Sequence, residues 1–288
     1  MRVCIIGKSK SNVSLEIKIA LEERGHVCKR LQIVDIYFSS TANQFKAFHR
    51  RIDLDQFDIF IFRNIAHGDR EYVFTLANYL ESINKIVFDR FLKKYIENTI
   101  NILFLLSQHN IPTVQSIFTL GRKTARDILI DLPHPILIKQ NNTDTKNYIM
   151  SEEWTDSYDA VRTNTYKKFE FQDYVNTRTL HRVYMIGEQI VGGLKRQILD
   201  QDNKLSFSNK FKSAFFQVEG NLADLSQKVA RALEFAFFHI DFVEINGQFY
   251  VFNVKRSTDF RLFSKLSGIN YCQKVVEFLE ETYQNKNQ

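Results

Sequence analysis

The stretch FAFFHIDFVEINGQFYVFNVKRS, Phe235 to Ser257, constrains this chain more than any other. Two apolar, β-rich runs flank the dipeptide Asn246-Gly247. Such a pair is the strongest short-range hairpin signal, because both residues tolerate the positive φ of a tight two-residue turn. Asn253 and Lys255 lie two apart on the second strand, so their side chains leave the same face. Asp241 lies on the partner strand. The predicted hairpin thus carries a carboxylate, an amide and an ammonium group.

The rest of the chain reads as α/β. RVCIIG (2–7) is a buried strand ending in Gly, and Ser11 is placed to cap a helix from Asn12 to Arg24 that Gly25 ends. Strands follow at Val27 to Ile33 and Phe57 to Phe62, with Arg63 at the end of the latter. Residues 69–82 have helical spacing, and Lys85 to Phe88 is a short strand. This β-α-β opening predicts a parallel sheet. A helix from Phe91 to Asn110 closes on HNIPTVQS, where Ile111-Pro112 turns into a strand at Thr113 to Phe118.

Next come a helix at Arg122 to Ile130, a strand at Pro133 to Lys139, the polar turn QNNTDTKN and a return strand at Tyr148 to Met150. Ser151 to Thr163 resembles a helix with a capping box. FEFQDYV (169–175) is a strand, and Thr179 to Ile186 with Glu188 to Arg196 is a hairpin around Gly187. Residues 199–212 read as a loop, Asn221 to Phe237 as an amphipathic helix, and Gly268 to Thr282 as a closing helix with a frayed QNKNQ tail.

Composition narrows the classes. With 288 residues, 44% of them hydrophobic and 26 of them Phe, the chain can bury a core without staples. The three cysteines, Cys4, Cys28 and Cys272, form no CxxC pair, which points to a reducing, cytoplasmic setting. No run of eighteen apolar residues occurs, and the apolar part of the N-terminus is too short for a signal peptide, so no membrane partner is expected. The net charge of +6 is dispersed without a run of five Lys/Arg, which suits anionic ligands and gives no basis for a nucleic-acid partner. A homo-oligomer is compatible with all of this. Neither GxGxxG nor GxxxxGK[ST] is present.

The succession of segments resembles the ATP-grasp superfamily, and most closely its RimK-like branch, the ribosomal-protein-S6-modifying glutamate ligases. HNIPTVQS is similar to that family's G-I-P-x-P-x-T, and PILIK to the strand presenting a phosphate-binding lysine. FQDYV is similar to its Q-E-Y-I hinge, LHRVYMIGEQIVGGLKR to its D-I-R … V-G … R segment, and IDFVEINGQFYVFNVKRS to its D … E-V-N metal hairpin.

The resemblance implies a preATP-grasp parallel-sheet domain over 1–90 and an ATP-grasp domain of two α+β subdomains over 91–288. Within the latter, 91–170 is the lid and central part, 113–168 the smaller subdomain, and 169–288 the C-terminal subdomain. It implies ATP and Mg²⁺ as cofactors, a peptide or amino acid as substrate, and amide-bond formation through an acyl phosphate. Lys139 and Lys255, with the hinge residues Gln172, Asp173, Tyr174 and Val175, are the implied nucleotide contacts. Arg182 and Arg196 are the implied clamp on the acyl phosphate, and Asp241 with Asn253 the implied metal ligands.

The chain also departs from the pattern. The family's first phosphate lysine falls at Thr99, its glycine-rich flap has no Gly, its hinge Glu is Asp173, and the Asp of D-I-R is Leu180. The metal-binding Glu and Asn fall at Asn253 and Lys255. Mg²⁺ favours one or two carboxylates in octahedral geometry, and an ammonium ~4 Å away repels a unit charge by about 4 kcal/mol at an effective dielectric of 20. Two outcomes are open: Lys255 replaces a metal ion electrostatically, or the hairpin is only structural. Correspondingly, two functions are open, a divergent carboxylate–amine ligase and a catalytically inactive ATP-grasp-like protein that binds nucleotide, peptide or a protein partner.

Overall fold

The computed structural model describes residues 1–7, 11–42, 44–63, 70–88, 99–141, 146–151, 153–163, 169–199, 211–256 and 259–288. The chain opens with β1 (Arg2–Gly7), α1 (Asn12–Glu23) and β2 (Val27–Leu31). The Ser11 hydroxyl accepts from the Ser14 N–H at the helix start, and Gly25, at φ +79°, turns the chain out of it. Residues 34–56, where periodicity predicts no element, hold a three-stranded antiparallel sheet of β3 (Ile36–Thr41), β4 (Gln44–His49) and β5 (Ile52–Asp53). β6 (Ile59–Arg63), α2 (Arg70–Ser82) and β7 (Ile86–Phe88) complete a parallel sheet of order β2-β1-β6-β7. Strand alternation sends Val3, Ile5, Ile59 and Ile61 into one core cluster and Cys4, Ile6, Phe60 and Phe62 into another.

The middle of the chain runs through α3 (Thr99–Gln108), β8 (Ser116–Thr119), α4 (Arg122–Asp131), β9 (Ile136–Asn141), β10 (Lys146–Ser151), α5 (Trp154–Thr163) and β11 (Phe169–Asp173). The four strands form an antiparallel sheet of order β10-β9-β11-β8. Ala125, Leu129 and Val161 of α4 and α5 cover the face that carries Ile136, Ile138, Phe169 and Phe171. Two expectations lie outside the described residues: the start of the 91–110 helix, over 91–98, and the tip of the polar turn, over 142–145. The proposed capping serine, Ser151, is instead the last residue of β10, and its hydroxyl donates to the Glu153 carbonyl.

The last sheet is built from β12 (Thr179–Ile186), β13 (Gln189–Ile198), β14 (Phe211–Phe216), β15 (Phe237–Ile245) and β16 (Gln248–Arg256), in the order β14-β13-β12-β15-β16. β14 replaces the end of the expected 199–212 loop, of which 200–210 lie outside the described residues. α6 (Gly220–Leu233) stops before the expected Phe237, because Glu234 adopts φ +52° and Phe237 already starts β15. α7 (Arg261–Ser267) was not expected, and Gly268, the predicted start of the last helix, caps it at φ +72°. α8 (Tyr271–Lys286) then starts at the Asn270 cap. It runs through the tail expected to fray, where Lys286 Nζ donates to the Asn84 carbonyl at 2.6 Å.

One face of the five-stranded sheet, with Val183, Met185, Ile240 and Phe242, packs on Leu106 of α3 and Val229 and Leu233 of α6. The opposite face is shared. At one end Tyr184, Ile186, Leu194 and Phe237 join the parallel sheet and Tyr271, Val275 and Leu279 of α8. At the other end Leu180, Val243 and Phe252 pack with Leu137 of β9 and with Val175. No helix among the described residues is long and apolar enough to cross a membrane.

Candidate functional site

Between those two apolar anchors the shared face is polar, and strand register decides which groups meet there. The first row sets Arg196 on β13 opposite Leu180 on β12. In the second, Leu194, Arg182, Asp241 and Asn253 stand side by side across β13, β12, β15 and β16. Gly192, Tyr184, His239 and Lys255 form the third. Asn253 and Lys255 leave one face, as the period of two predicts, and Asp241 lies directly opposite Asn253.

Asp241 is fully buried and bound on both oxygens by one guanidinium. Arg182 Nε donates to Oδ1 at 2.7 Å and Nη2 to Oδ2 at 2.9 Å, the short bidentate geometry of a strong charge-assisted pair. Burial pushes the Asp241 carboxyl up, but Arg182 and then His239 outweigh it and hold it well below the usual carboxylate range. Arg182 is raised in turn, Asp241 overcoming the cost of burial. His239 Nε2 lies 3.7 Å from Asp241 Oδ2. Burial, reinforced by the neighbouring Arg182, lowers His239 to about 4, so it stays neutral near pH 7.

Arg196 is placed differently from Arg182. Its guanidinium sits 4.0 Å above the Phe211 ring, and its buried Nε has no hydrogen-bond partner among the described residues. Burial and then the charge of Arg182 lower its pKa. Ser213, its register partner on β14, also has a buried, unpartnered hydroxyl among the described residues.

The hinge residues connect the antiparallel sheets. Gln172, buried on β11, donates from Nε2 to Ser116 Oγ at 3.2 Å, and its Oε1 has no partner among the described residues. The Asp173 N–H donates to the Gln115 carbonyl at 3.1 Å, and burial raises the Asp173 carboxyl. The Val175 carbonyl accepts from the Thr177 N–H at 2.8 Å, so it is already engaged within the hinge. Tyr174 stands between them, outside any strand. Lys139 pairs in register with Glu170 of β11 and Tyr148 of β10; its side chain lies outside the described residues. Thr99 is the first residue of α3.

The sequence-derived residues thus separate into two groups. Arg182, Arg196, Asp241, Asn253 and Lys255 share the polar centre of one sheet face. Gln172, Asp173, Tyr174 and Val175 form the link to the sheet that carries Lys139. Two features escaped the sequence reading. His239 shares the face of Asp241 through the same alternation that relates Asn253 to Lys255, so its signal was present. Ser213 carried none, because β14 itself was not predicted. A pocket of about 460 Å³ between α1, α7 and α8, lined in part by Glu16, Glu23, Arg261 and Asn270, contains none of these residues.

A family model for the RimK-like ATP-grasp domain matches residues 96–279, which include both antiparallel sheets and the hairpin. The chain belongs to the RimK-like ATP-grasp family. Its fold matches solved ATP-grasp structures end to end. The ATP-grasp ligase PsnB complexed with its minimal precursor aligns at TM-score 0.74 with 13% identity, over 99% of this chain and 98% of that one. The macrocyclase MdnC from Microcystis aeruginosa MRC, bound with precursor peptide MdnA, aligns at TM-score 0.74 with 12% identity, over 98% and 100%. A RimK domain ATP-grasp protein from Sphaerobacter thermophilus DSM 20745 aligns at 0.69 with 16% identity, over 96% and 99%. A search of the curated proteins gives no match.

The family resemblance implies Mg²⁺ at the C-terminal hairpin, and the residues present do not fit it. Both oxygens of Asp241 are taken by Arg182, Asn253 offers only a neutral amide, and Lys255 adds positive charge in the adjacent row. Releasing Asp241 to a metal would leave a largely buried guanidinium unpaired, a change of the kind that costs about 3–5 kcal/mol. Among the described residues no group of three or more His, Cys, Asp or Glu could hold a metal ion. The cation that neutralises Asp241 is Arg182.

Proposed function

We propose that this ATP-grasp protein binds a nucleotide in the cleft between its antiparallel sheets, with a peptide as its second ligand, and acts by binding rather than by metal-dependent ligation. The observation that carries this reading is the bidentate Arg182–Asp241 pair, which closes the one carboxylate at the family's metal position. Nucleotide binding is supported by family membership and by the retained hinge, in which an extended backbone can meet a purine edge with little demand on side-chain identity. The peptide is supported by relatives of the same fold: PsnB is solved with precursor peptide PsnA2 and AMPPNP, and MdnC with precursor peptide MdnA.

In this reading Lys139, at its register position opposite Glu170, meets nucleotide phosphate as a point charge on a flexible stem. Tyr174 and Val175 hold the base, while Gln172 and Asp173 fix the strand end that presents them. ATP should raise the thermal midpoint, as any ligand selective for the native state does, and Lys139→Ala should weaken ATP binding about tenfold by calorimetry. A midpoint unmoved by millimolar ATP or ADP would refute the reading.

A second reading, carboxylate–amine ligation, is favoured by one observation: Arg196 keeps an unpartnered buried donor one row from Arg182. Here a substrate carboxylate attacks the γ-phosphorus, ADP leaves, and an amine displaces inorganic phosphate from the acyl phosphate. Arg196 would hold the acyl oxygens. ADP release that depends on an added peptide, together with a mass change in that peptide, would establish it; their joint absence favours binding alone.

A further inference from the structure

We infer that the Arg182 guanidinium takes the place and the charge of a divalent cation, so that the cleft accepts the phosphates of a nucleotide as the free anion, without metal. The inference rests on the nucleotide reading above and concerns how the same site neutralises its ligand. On the polar face, Arg182, Arg196 and Lys255 bring three permanent positive charges against the single carboxylate of Asp241. His239, in the row beside them, is buried and contributes no charge near pH 7. Two positive charges are therefore left over, which is what a divalent ion would supply to phosphate oxygens.

The arrangement is also built. Asp241 fixes the Arg182 fork from both oxygens, so the cation is oriented before a ligand arrives. The Phe211 ring supports the Arg196 guanidinium at 4.0 Å and leaves its buried Nε, next to the Ser213 hydroxyl, without a partner among the described residues. Unsatisfied buried donors of this kind call for an acceptor, and phosphoryl oxygens are acceptors in the right number. Magnesium-bound ATP brings two extra positive charges into a site that already has them, so Mg²⁺ should compete with this face for the phosphates.

The test is calorimetric titration of the full chain with ATP and with ADP, once in EDTA and once in excess Mg²⁺. The expected result is binding in EDTA at least as tight as in Mg²⁺, weakened with rising salt. It should also weaken about tenfold in Lys255→Ala, an exposed position whose change should leave the melting temperature unmoved. Binding that appears only with Mg²⁺ would overturn the inference while leaving the nucleotide reading intact. Equal affinity of Lys255→Ala and the unmodified chain in EDTA would overturn it too. No binding in either buffer would remove the nucleotide reading itself.

Discussion

At the scale of single residues the molecule turns on Arg182 and Asp241. Removing one partner of so buried a pair leaves an uncompensated charge, so Asp241→Asn or Arg182→Ala should cost about 3–5 kcal/mol. The double change Arg182→Met with Asp241→Leu should cost far less than the two single changes together. Urea denaturation of the four proteins measures this, and additive losses would show that the pair is not the coupled unit described. His239 makes a second prediction. Its folded value of about 4 lies below its ordinary 6.5, so between those values the unfolded chain takes up a proton that the native chain refuses. Stability should therefore fall as pH drops from about 6.5 to 4, by roughly 1.4 kcal/mol per pH unit from this group at most. His49 and His181 are lowered as well, so the comparison is with His239→Phe, whose loss between pH 7 and 5 should be smaller. Identical losses in both proteins would remove His239 from the account. The alternation of a strand made Asn253 and Lys255 legible as neighbours. The partner of Asp241 was not legible, because the β12–β15 adjacency joins residues 59 apart in sequence.

At the scale of elements, long periodic segments and capped helices were readable, and short polar strands were not. Ser11, Gly25 and Asn246-Gly247 marked their turns through local chemistry that no distant contact overrides. β3 and β4 escaped because their register rests on aromatic contacts across the hairpin and with α2, such as Tyr37 on Phe48 at 5.3 Å and Phe38 on Tyr72 at 5.6 Å. β13 gives the testable case. Gly193 lies so close to β14 that an added Cβ would meet the Phe216 ring at 2.4 Å. Gly193→Ala should destabilise by about 1–3 kcal/mol through overpacking. It should also disturb Arg196, three residues along the same strand. An unchanged chemical denaturation midpoint would mean that β14 yields freely, and that the Phe211 support of Arg196 is looser than drawn.

At the scale of the whole molecule the parallel sheet and the five-stranded sheet share one core. α8 stitches them: Tyr271, Val275, Val276 and Leu279 are fully buried between the sheets, and the Tyr271 hydroxyl donates to the Met185 carbonyl at 2.8 Å. From the other side, Arg24 and His26, beside β2, both bond Glu280. Each such apolar side chain is worth about 1.5–3 kcal/mol on burial, and a whole domain rests on only about 5–15. A chain ending before Tyr271 should therefore lose cooperative unfolding in urea, and a retained sharp transition would refute the shared core. The sequence announced the helix but not its role, since amphipathic spacing says that a face is covered without saying by what.

One irregularity fixes where substitution can act. Between Asp241 and Phe242 the hairpin register shifts by one, so Phe252 has no opposite number and joins the apolar cluster beside Leu180 and Val243. Removing that single supernumerary residue would rotate the outer half of β16 by half a pleat, turning Tyr250 away from the cleft and carrying the second sheet's footing with it. The scaffold thus tolerates exchange of the chemistry at 253 and 255, which lie inboard of the kink, far more readily than any change in chain length across it. Ligand preference here can drift by point replacement, while the architecture stays pinned by one phenylalanine.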